Sequence, residues 1–177
     1  MDSEEDDKQK LQKMIKYREM TIDDLGKVFH LGEKVFKVQK APNSYRTWDE
    51  YDVIEFFQND LEFCIIAEFK NDIIGFVLGT TVSKNNSAWK YGHLVWLGVH
   101  PDFQRMGVAE KLFLKFKTLM LKDGVRMLIV DTDAENLAAL HFFRKHGFGN
   151  PQQHIYLTMN IDNERNRLKK KENGKNH

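Results

Sequence analysis

The spacing of apolar residues along the chain predicts alternating strands and helices. Between residues 21 and 36 the apolar positions recur at roughly helical spacing. Residues 62–69 and 72–82 are two apolar runs separated by a short polar turn, which predicts a β-hairpin. Residues 91–99 are apolar on both faces, and this is typical of a central strand. These patterns predict that strands and helices are mixed along the chain.

The complete pattern predicts a mixed α/β fold in the order β-α-α-β-β-β-α-β-α-β, with strand–helix–strand–helix in its second half. Thr47, with Glu50 three residues later, is the predicted start of the second helix. The predicted elements are strand 15–20, helices 21–36 and 47–58, strands 62–69, 72–82 and 91–99, helix 107–122, the buried strand 126–132, helix 135–146 and strand 154–161. We expect an acidic flexible tail over residues 1–13, a domain over 14–161 and a basic flexible tail over 162–177.

Charge and cysteine content narrow the function classes. Lys and Arg number 27 and Asp and Glu 26, so no overall field favours nucleic acid or a membrane surface. A single cysteine excludes an intrachain disulfide, and no Cys/His cluster has zinc spacing, so we expect no metal. The first 15 residues are acidic and polar, unlike a signal peptide, and no apolar run approaches the ~18 residues that span a bilayer. We expect a cytoplasmic protein with no membrane partner.

The segment QRMGVA, residues 104–109, joins the predicted central strand to the following helix. The first N–H groups of a helix have no intrahelical partner, and together with the helix dipole they favour an anion such as phosphate. Gly107 would allow close approach to the backbone, and Gln104 and Arg105 would add polar donors. Spacing alone leaves a second interpretation open, in which the glycine only serves a tight strand-to-helix turn.

This segment resembles the Q/R-x-x-G-x-G/A signature of the GNAT superfamily of N-acetyltransferases, with Gln104, Gly107 and Ala109 at the signature positions. A second segment, NLAALHFFRKHGF over residues 136–148, resembles the family's N-x-x-A-x-x-x-Y-x-x-x-G-F segment. The strand order over residues 15–161 fits as well. In pattern the chain is closest to protein N-alpha and ribosomal-protein alanine acetyltransferases.

The resemblance implies a GNAT-like domain whose central mixed sheet has a splayed parallel strand pair and about four flanking helices. It implies acetyl-CoA as co-substrate, with pantetheine along the splayed strand, pyrophosphate on the turn, and the second segment lining the far side of the cofactor arm. The acetyl-CoA-binding residues implied are Leu97, Gly98, Val99, Gln104, Arg105, Met106, Gly107, Val108, Ala109, Asn136, Ala139, Phe143 and Lys145.

Acetyl transfer to an amine needs a base for the ammonium proton and a donor for the thioester oxygen. The resemblance supplies the donor as a backbone N–H, that of Val99 or Leu97. Two positions are candidates for the base. His93 stands where histone acetyltransferases of the family carry a glutamate, and Asp131 where bacterial ribosomal-protein alanine acetyltransferases carry one. Histidine ordinarily titrates near 6.5 and aspartate near 3.9, which favours His93. An inert strand-edge histidine and a capping aspartate are the alternatives.

The chain departs from the family at Phe143, where many members carry a tyrosine that acts as the acid. A phenyl ring cannot donate a proton. Three explanations stay open: the coenzyme A thiolate leaves unaided, since a thiol with a pKa of ~8.5 is a fair leaving group; Tyr156 supplies the proton; or the protein binds acetyl-CoA and catalyses poorly.

The acceptor site implied by the family includes the loop between the first two helices, where Tyr45, Trp48 and Tyr51 would form walls beside several acids and suit a cationic amine. We therefore expect an acetyl-CoA-dependent N-acetyltransferase acting by direct attack in a ternary complex on a primary amine, such as a protein N-terminus or a lysine. The alternatives are a polyamine or aminoglycoside-like acceptor, and a non-catalytic acyl-CoA sensor. Nucleic acid is not an expected partner despite the basic tail, and a homodimer is left open.

Overall fold

The structure, a computed structural model, describes residues 10–36, 48–83, 89–152, 155, 161, 162 and 165. The chain divides into two compact units, residues 1–133 and 134–177. The first unit holds one sheet whose strand order follows the chain. Its strands are β1 (Lys16–Glu19), β2 (Ile65–Phe69), β3 (Asp72–Ser83), β4 (Lys90–Val99) and β5 (Met127–Val130). The strands β1 to β4 pair antiparallel and β5 pairs parallel with β4, which confirms the predicted mixed α/β sheet.

Four helices of nine or more residues lie in the described part of the chain. They are α1 (Leu25–Val35), α2 (Glu50–Asn59) and α3 (Val108–Lys122) in the first unit and α4 (Leu137–Lys145) in the second. Short 3₁₀ turns cover Ile22–Asp24, Leu61–Phe63 and Pro101–Phe103. Residues 10–14, which overlap the end of the expected flexible tail over residues 1–13, are also helical.

The cap of α2 differs from the prediction. The carboxylate of Asp49 accepts a hydrogen bond from the Asp52 N–H at 3.0 Å, so Asp49 is the N-cap. The predicted cap, Thr47, lies outside the described residues. Sequence reasoning favoured Thr47 because of the Glu three residues later, but an Asp at the N-cap satisfies an orphan N–H equally well.

The β2–β3 hairpin has the turn that its sequence predicts. Lys70 and Asn71 both have positive φ, 50° and 70°, as a two-residue type I′ turn requires. The turn places Phe69 opposite Asp72 and so fixes the register of the two strands. The predicted hairpin is confirmed.

Apolar side chains fill both faces of the sheet. On one face α1 and α2 cover a cluster that includes Val28, Leu31, Phe76 and Trp96. On the other face α3 buries a stripe: Leu112, Phe113, Phe116 and Met120. The helix lies close to β3, because a Cβ built on Gly79 would stand 2.5 Å from the Phe116 ring. Both faces of β3 and β4 are therefore covered, as expected of central strands.

Of the last two predicted strands, one is observed and the other lies largely outside the described residues. The strand at 126–132 is present as β5, but Met127 and Ile129 are nearly half exposed, so its predicted full burial is wrong. Alternate residues of β5 are more buried, which shows a strand with one covered face. The predicted strand 154–161 falls largely on residues outside those described. No helix of the described segments is long and apolar enough to cross a bilayer.

An ion pair ties β1 to the start of the helical layer. Arg18 binds Asp24 at 2.6 Å and Glu68 at 2.7 Å, and the Asp24 carboxylate also accepts from the Thr21 N–H and hydroxyl at 2.8 Å. The hydrogen bond from Arg18, followed by those from Thr21, lowers the pKa of the buried Asp24 to about 2, although burial opposes this shift. The carboxylate therefore stabilises the fold in its ionised form.

We expect Asp24→Asn to destabilise the protein at pH 7 by about 1–2 kcal/mol, allowing for the part-exposed arginine. A carboxyl whose pKa is lowered on folding contributes stability above its unfolded value near 3.9, and this contribution is lost as the pH falls toward about 2. Thermal unfolding at pH 7 and pH 2.5 would show a large difference between variant and parent at pH 7 and a much smaller one at pH 2.5. An equal difference at both pH values would contradict the assignment.

Candidate active site

The sheet opens between β4 and β5. The parallel ladder joins Tyr91 to Met127 and runs to the Leu94–Val130 pair, where β5 ends. The strand β4 continues to Val99, and within the described part of the chain Leu97–Val99 have no β5 partner. This opening lies where the family resemblance implies a splayed parallel pair.

The register of β3 and β4 shows which backbone groups line the opening. Val99 lies opposite Gly75, and the N–H of His100 donates to the Ile74 carbonyl at 2.8 Å. In an antiparallel ladder this bond flanks a non-hydrogen-bonded pair, so the N–H and C=O of Val99 point away from β3. The alternation repeats every two residues, and the N–H and C=O of Leu97 therefore point the same way. Both donors that the resemblance implies for the thioester oxygen face the opening.

The side chain of Gln104 closes the far end of the opening. Its Nε2 donates to the Val99 carbonyl at 3.2 Å. From sequence alone Gln104 is a candidate donor to the pyrophosphate, and in the structure its amide holds the turn against the end of β4. The signature glutamine thus fixes where the turn leaves the strand.

The turn of residues 104–107 leads into a helix start whose backbone donors have no acceptor in the described structure. Arg105 and Gly107 both have positive φ, 60° and 77°, and Gly107 is the N-cap of α3. The first bond into the helix is from the Lys111 N–H to the Gly107 carbonyl, at 3.0 Å. In the described structure the N–H groups of Gly107, Val108 and Ala109 have no acceptor, as expected at a helix start. Three free donors at the positive end of a 15-residue helix suit an anion.

The two candidate bases form one pair. His93 lies opposite Ile129 in the parallel ladder, and Asp131 is two residues further along the same face. The His93 Nε2 and the Asp131 Oδ1 are 2.8 Å apart. Their side chains are 30% and 44% exposed, so solvent and a substrate can reach them. His93 lies one residue before the last ladder pair, and Asp131 lies one residue after β5 ends.

The hydrogen bond between them assigns separate roles. An ionised Asp131 can only accept, so the proton on the neutral His93 ring lies on Nε2 and Nδ1 keeps a lone pair. Nδ1 is then the atom able to take a proton. From sequence alone His93 and Asp131 are alternative bases, because only the ladder register shows that they lie within hydrogen-bond distance.

A bulge in β4 sets the face on which His93 lies. Leu78 pairs with Trp96 and Gly79 with Leu94, so Val95 is an extra residue in β4. A Cβ on Gly92 would meet Met120 of α3, so the side chain of the next residue, His93, points to the opposite face, toward α1 and α2.

Two residues that sequence reasoning missed lie beside His93. Thr80 is directly opposite His93 in the ladder, and its hydroxyl donates to the Asp60 Oδ1 at 2.8 Å. Asp60 follows the last residue of α2. No sequence motif marks this pair, since the strand register brings Thr80 opposite His93 and a side-chain hydrogen bond links Asp60 to Thr80.

The second unit is described by itself. Asn136 is the N-cap of α4, where its Oδ1 accepts the Ala139 N–H at 3.1 Å. Phe143 is buried against the rings of Phe142 and Phe148, each 5.3 Å away between centroids. Lys145 is exposed near the end of the helix. Tyr156, the alternative acid, lies outside the described residues.

The remaining described residues considered in the sequence analysis are not part of the site around His93. Trp48, expected as a pocket wall, is 8% exposed in the core, and its Nε1 donates to the Phe29 carbonyl at 2.9 Å. Tyr51 is exposed, and Tyr45 lies outside the described residues. Burial raises the pKa of the Cys64 thiol to about 12, so it is no nucleophile. No cluster of three or more metal-ligating side chains occurs in the segments described.

Known proteins share this architecture. The model of the acetyltransferase (GNAT) family matches residues 33–148, which is well over half of the chain. The chain belongs to the GNAT family of acetyltransferases. The matched range includes residues of both compact units.

Individual relatives agree with this assignment. An acetyltransferase of Pectobacterium atrosepticum is 25% identical over 115 residues, covering 64% of this chain and 77% of that protein. An aminoglycoside acetyltransferase from a soil metagenomic sample, solved with trehalose, has a TM-score of 0.68 at 19% identity, covering 85% of this chain and 99% of that one. A chain of the NatC complex bound to Gag peptide and CoA has a TM-score of 0.69 at 20% identity, covering 81% and 91%. The two structural likenesses show that this GNAT acetyltransferase has the same fold.

Proposed function

We propose that this acetyltransferase moves the acetyl group of acetyl-CoA directly to a primary amine, with His93 as the general base. The observation that carries the proposal is the His93–Asp131 pair beside the opening of the sheet. A histidine oriented by a carboxylate is a common form of base in enzymes. The pair lies where the β4–β5 ladder ends, and the backbone donors of the opening follow further along β4.

The residues of the opening fit acetyl-CoA. The N–H groups of Gly107, Val108 and Ala109 would hold the pyrophosphate, and the free edge of Leu97–Val99 would pair with the pantetheine amides. Bound acetyl-CoA supplies a thioester as the acyl donor. A related fold is known with CoA bound, which supports this assignment. The residues of α4, Asn136, Ala139, Phe143 and Lys145, are assigned to the cofactor by resemblance.

Distance along β4 favours Leu97 as the donor for the thioester oxygen. At ~3.3 Å per residue, Leu97 lies roughly 13 Å from His93 along the strand and Val99 roughly 20 Å. The bulge at Val95 lies between His93 and both residues, so it shortens both distances equally. The gap that an imidazole and an attacking amine must bridge is therefore shorter to the Leu97 N–H than to that of Val99. We therefore assign the Leu97 N–H to the developing negative charge.

Two proton transfers must be considered, one from the acceptor amine and one to the departing thiolate. His93 Nδ1 takes the proton from the acceptor amine, directly or through water, and Asp131 stabilises the resulting imidazolium. Phe143 offers no proton to the departing thiolate, and we propose that this thiolate leaves unprotonated, as its ordinary pKa allows.

The test is acetyl transfer from acetyl-CoA to a panel of amines, followed by thiol release and product mass. The panel holds N-terminal peptides, lysine peptides, spermidine and an aminoglycoside, because relatives of the same fold have been solved with a peptide and are named for aminoglycosides. Transfer to one class would establish the reaction and name the acceptor. Tight acetyl-CoA binding without transfer to any of them would favour the alternative that Phe143 supports, a non-catalytic sensor.

We expect Asp131→Asn to lower kcat about 10- to 100-fold and to leave the acetyl-CoA Kd unchanged. The asparagine amide can donate to Nε2 and move the ring proton to Nδ1, the atom needed as base. Steady-state kinetics and calorimetry would check this. As a control, Asp133→Asn removes an exposed acid two residues further on. Equal losses in both variants would show that Asp131 acts only through general charge.

A further inference from the structure

Residues 10–14 lie against the turn that precedes α3. Gln12 Nε2 donates to the Met106 carbonyl at 2.6 Å, across 94 residues of sequence. A Cβ built on Gly107 would stand 3.6 Å from the same nitrogen, so the Gln12 amide lies over this glycine. The next segment is tied to α3 as well, since Lys115 Nζ donates to the Tyr17 carbonyl at 3.0 Å.

The bond fixes the direction of a neighbouring donor. The Met106 carbonyl and the Gly107 N–H belong to one planar trans peptide, in which C=O and N–H point in opposite directions. Holding the carbonyl toward Gln12 therefore turns the Gly107 N–H away from it. The residues on either side of Met106, Arg105 and Gly107, both have positive φ.

The apolar contacts of residues 10–15 do not account for the hydrogen bond between Gln12 and Met106. Leu11 and Met14 are 37% and 53% exposed, so apolar burial secures the helical turn mainly through Ile15. The Gln12 side chain is half-buried and points at the turn instead of solvent. We therefore infer that the main effect of the Gln12 hydrogen bond is to fix the turn, and that it contributes less to holding residues 10–14 in place.

We propose that Gln12 is a positioning residue for the diphosphate of acetyl-CoA. It holds the Met106–Gly107 peptide so that the Gly107 N–H faces the anion together with those of Val108 and Ala109. This proposal rests on the proposed function, because it requires acetyl-CoA to bind at the turn. It makes the affinity for the diphosphate depend on a residue that precedes the first strand.

The test compares two donors that differ in the diphosphate. Kd values are measured for acetyl-CoA by calorimetry and for S-acetylpantetheine, which lacks the nucleotide, by competition. In Gln12→Ala the Kd for acetyl-CoA should rise about 3- to 10-fold, the effect of one hydrogen bond, while the Kd for S-acetylpantetheine stays unchanged. Gln12→Glu should weaken acetyl-CoA binding more, because its carboxylate cannot donate to the carbonyl and repels the anion.

Lys13→Ala is the matched control, since Lys13 is exposed on the same helical turn. It should leave both affinities unchanged apart from a small loss of charge attraction to acetyl-CoA. Unchanged acetyl-CoA affinity in both Gln12 variants, or an equal loss for both donors, overturns the proposal. A parent protein that binds no acetyl-CoA would instead overturn the proposed function, and this inference with it. Thermal unfolding of each variant shows whether a loss comes from misfolding.

Discussion

Gly107→Glu should remove acetyl-CoA binding, with a loss of affinity of more than about 100-fold. Two effects combine. The left-handed backbone of Gly107, φ 77°, costs a residue with a Cβ about 1–2 kcal/mol. The new carboxylate would stand near the diphosphate, and two like charges ~5 Å apart repel by about 3 kcal/mol at an effective dielectric constant near 20. That repulsion alone exceeds a 100-fold change in Kd.

Gly124 provides a control on the same helix. It follows the other end of α3 with the same φ of 77°, and a Cβ there would meet nothing within 4 Å. Gly124→Glu therefore has the same change in charge and the same backbone strain, but lies one helix length from the turn. Calorimetry and thermal unfolding should give similar losses of stability for the two variants and a loss of acetyl-CoA affinity only for Gly107→Glu. Retained affinity in Gly107→Glu would remove the diphosphate from this turn.

Sequence alone predicts the elements well where periodicity is strong. The hairpin at Lys70–Asn71 and the helix after Gly107 follow from local rules, since each depends on backbone conformations that only a few residues tolerate. Residues 10–14 were missed for the opposite reason: the segment is charged and short, and the contact of Gln12 with Met106 spans 94 residues. No local pattern carries information about such a contact.

The candidate site was predicted in part. The turn and the splayed strand came from the family resemblance, and the structure adds which edge of β4 the Leu97 and Val99 groups face. The hydrogen bond between His93 and Asp131 cannot be predicted from sequence, because it depends on the parallel register and on a one-residue bulge in β4. A shift of one residue in either strand would send the two side chains to opposite faces.

His93→Ala should lower kcat about 10²- to 10⁴-fold near pH 7, the usual contribution of a positioned general base. The acetyl-CoA Kd should not change, because His93 precedes the opening and its side chain points toward the α1 and α2 face. The remaining rate should rise with pH as the acceptor amine deprotonates without help. Kinetics with the acceptor identified in the panel, measured from pH 6 to 9, would show both effects.

His30→Ala is the matched control for this variant. His30 also pairs with a carboxylate, since its Nδ1 lies 2.9 Å from Glu33 Oε2, but the pair is on the exposed surface of α1. Loss of that histidine should leave kcat and its pH dependence as in the parent. A His93→Ala protein with kcat within about threefold of the parent would transfer the role of base to Asp131 or to water. A second outcome separates these two: if Asp131→Asn then abolishes turnover, the carboxylate itself takes the proton, and Asp131 has been assigned the wrong part in the pair.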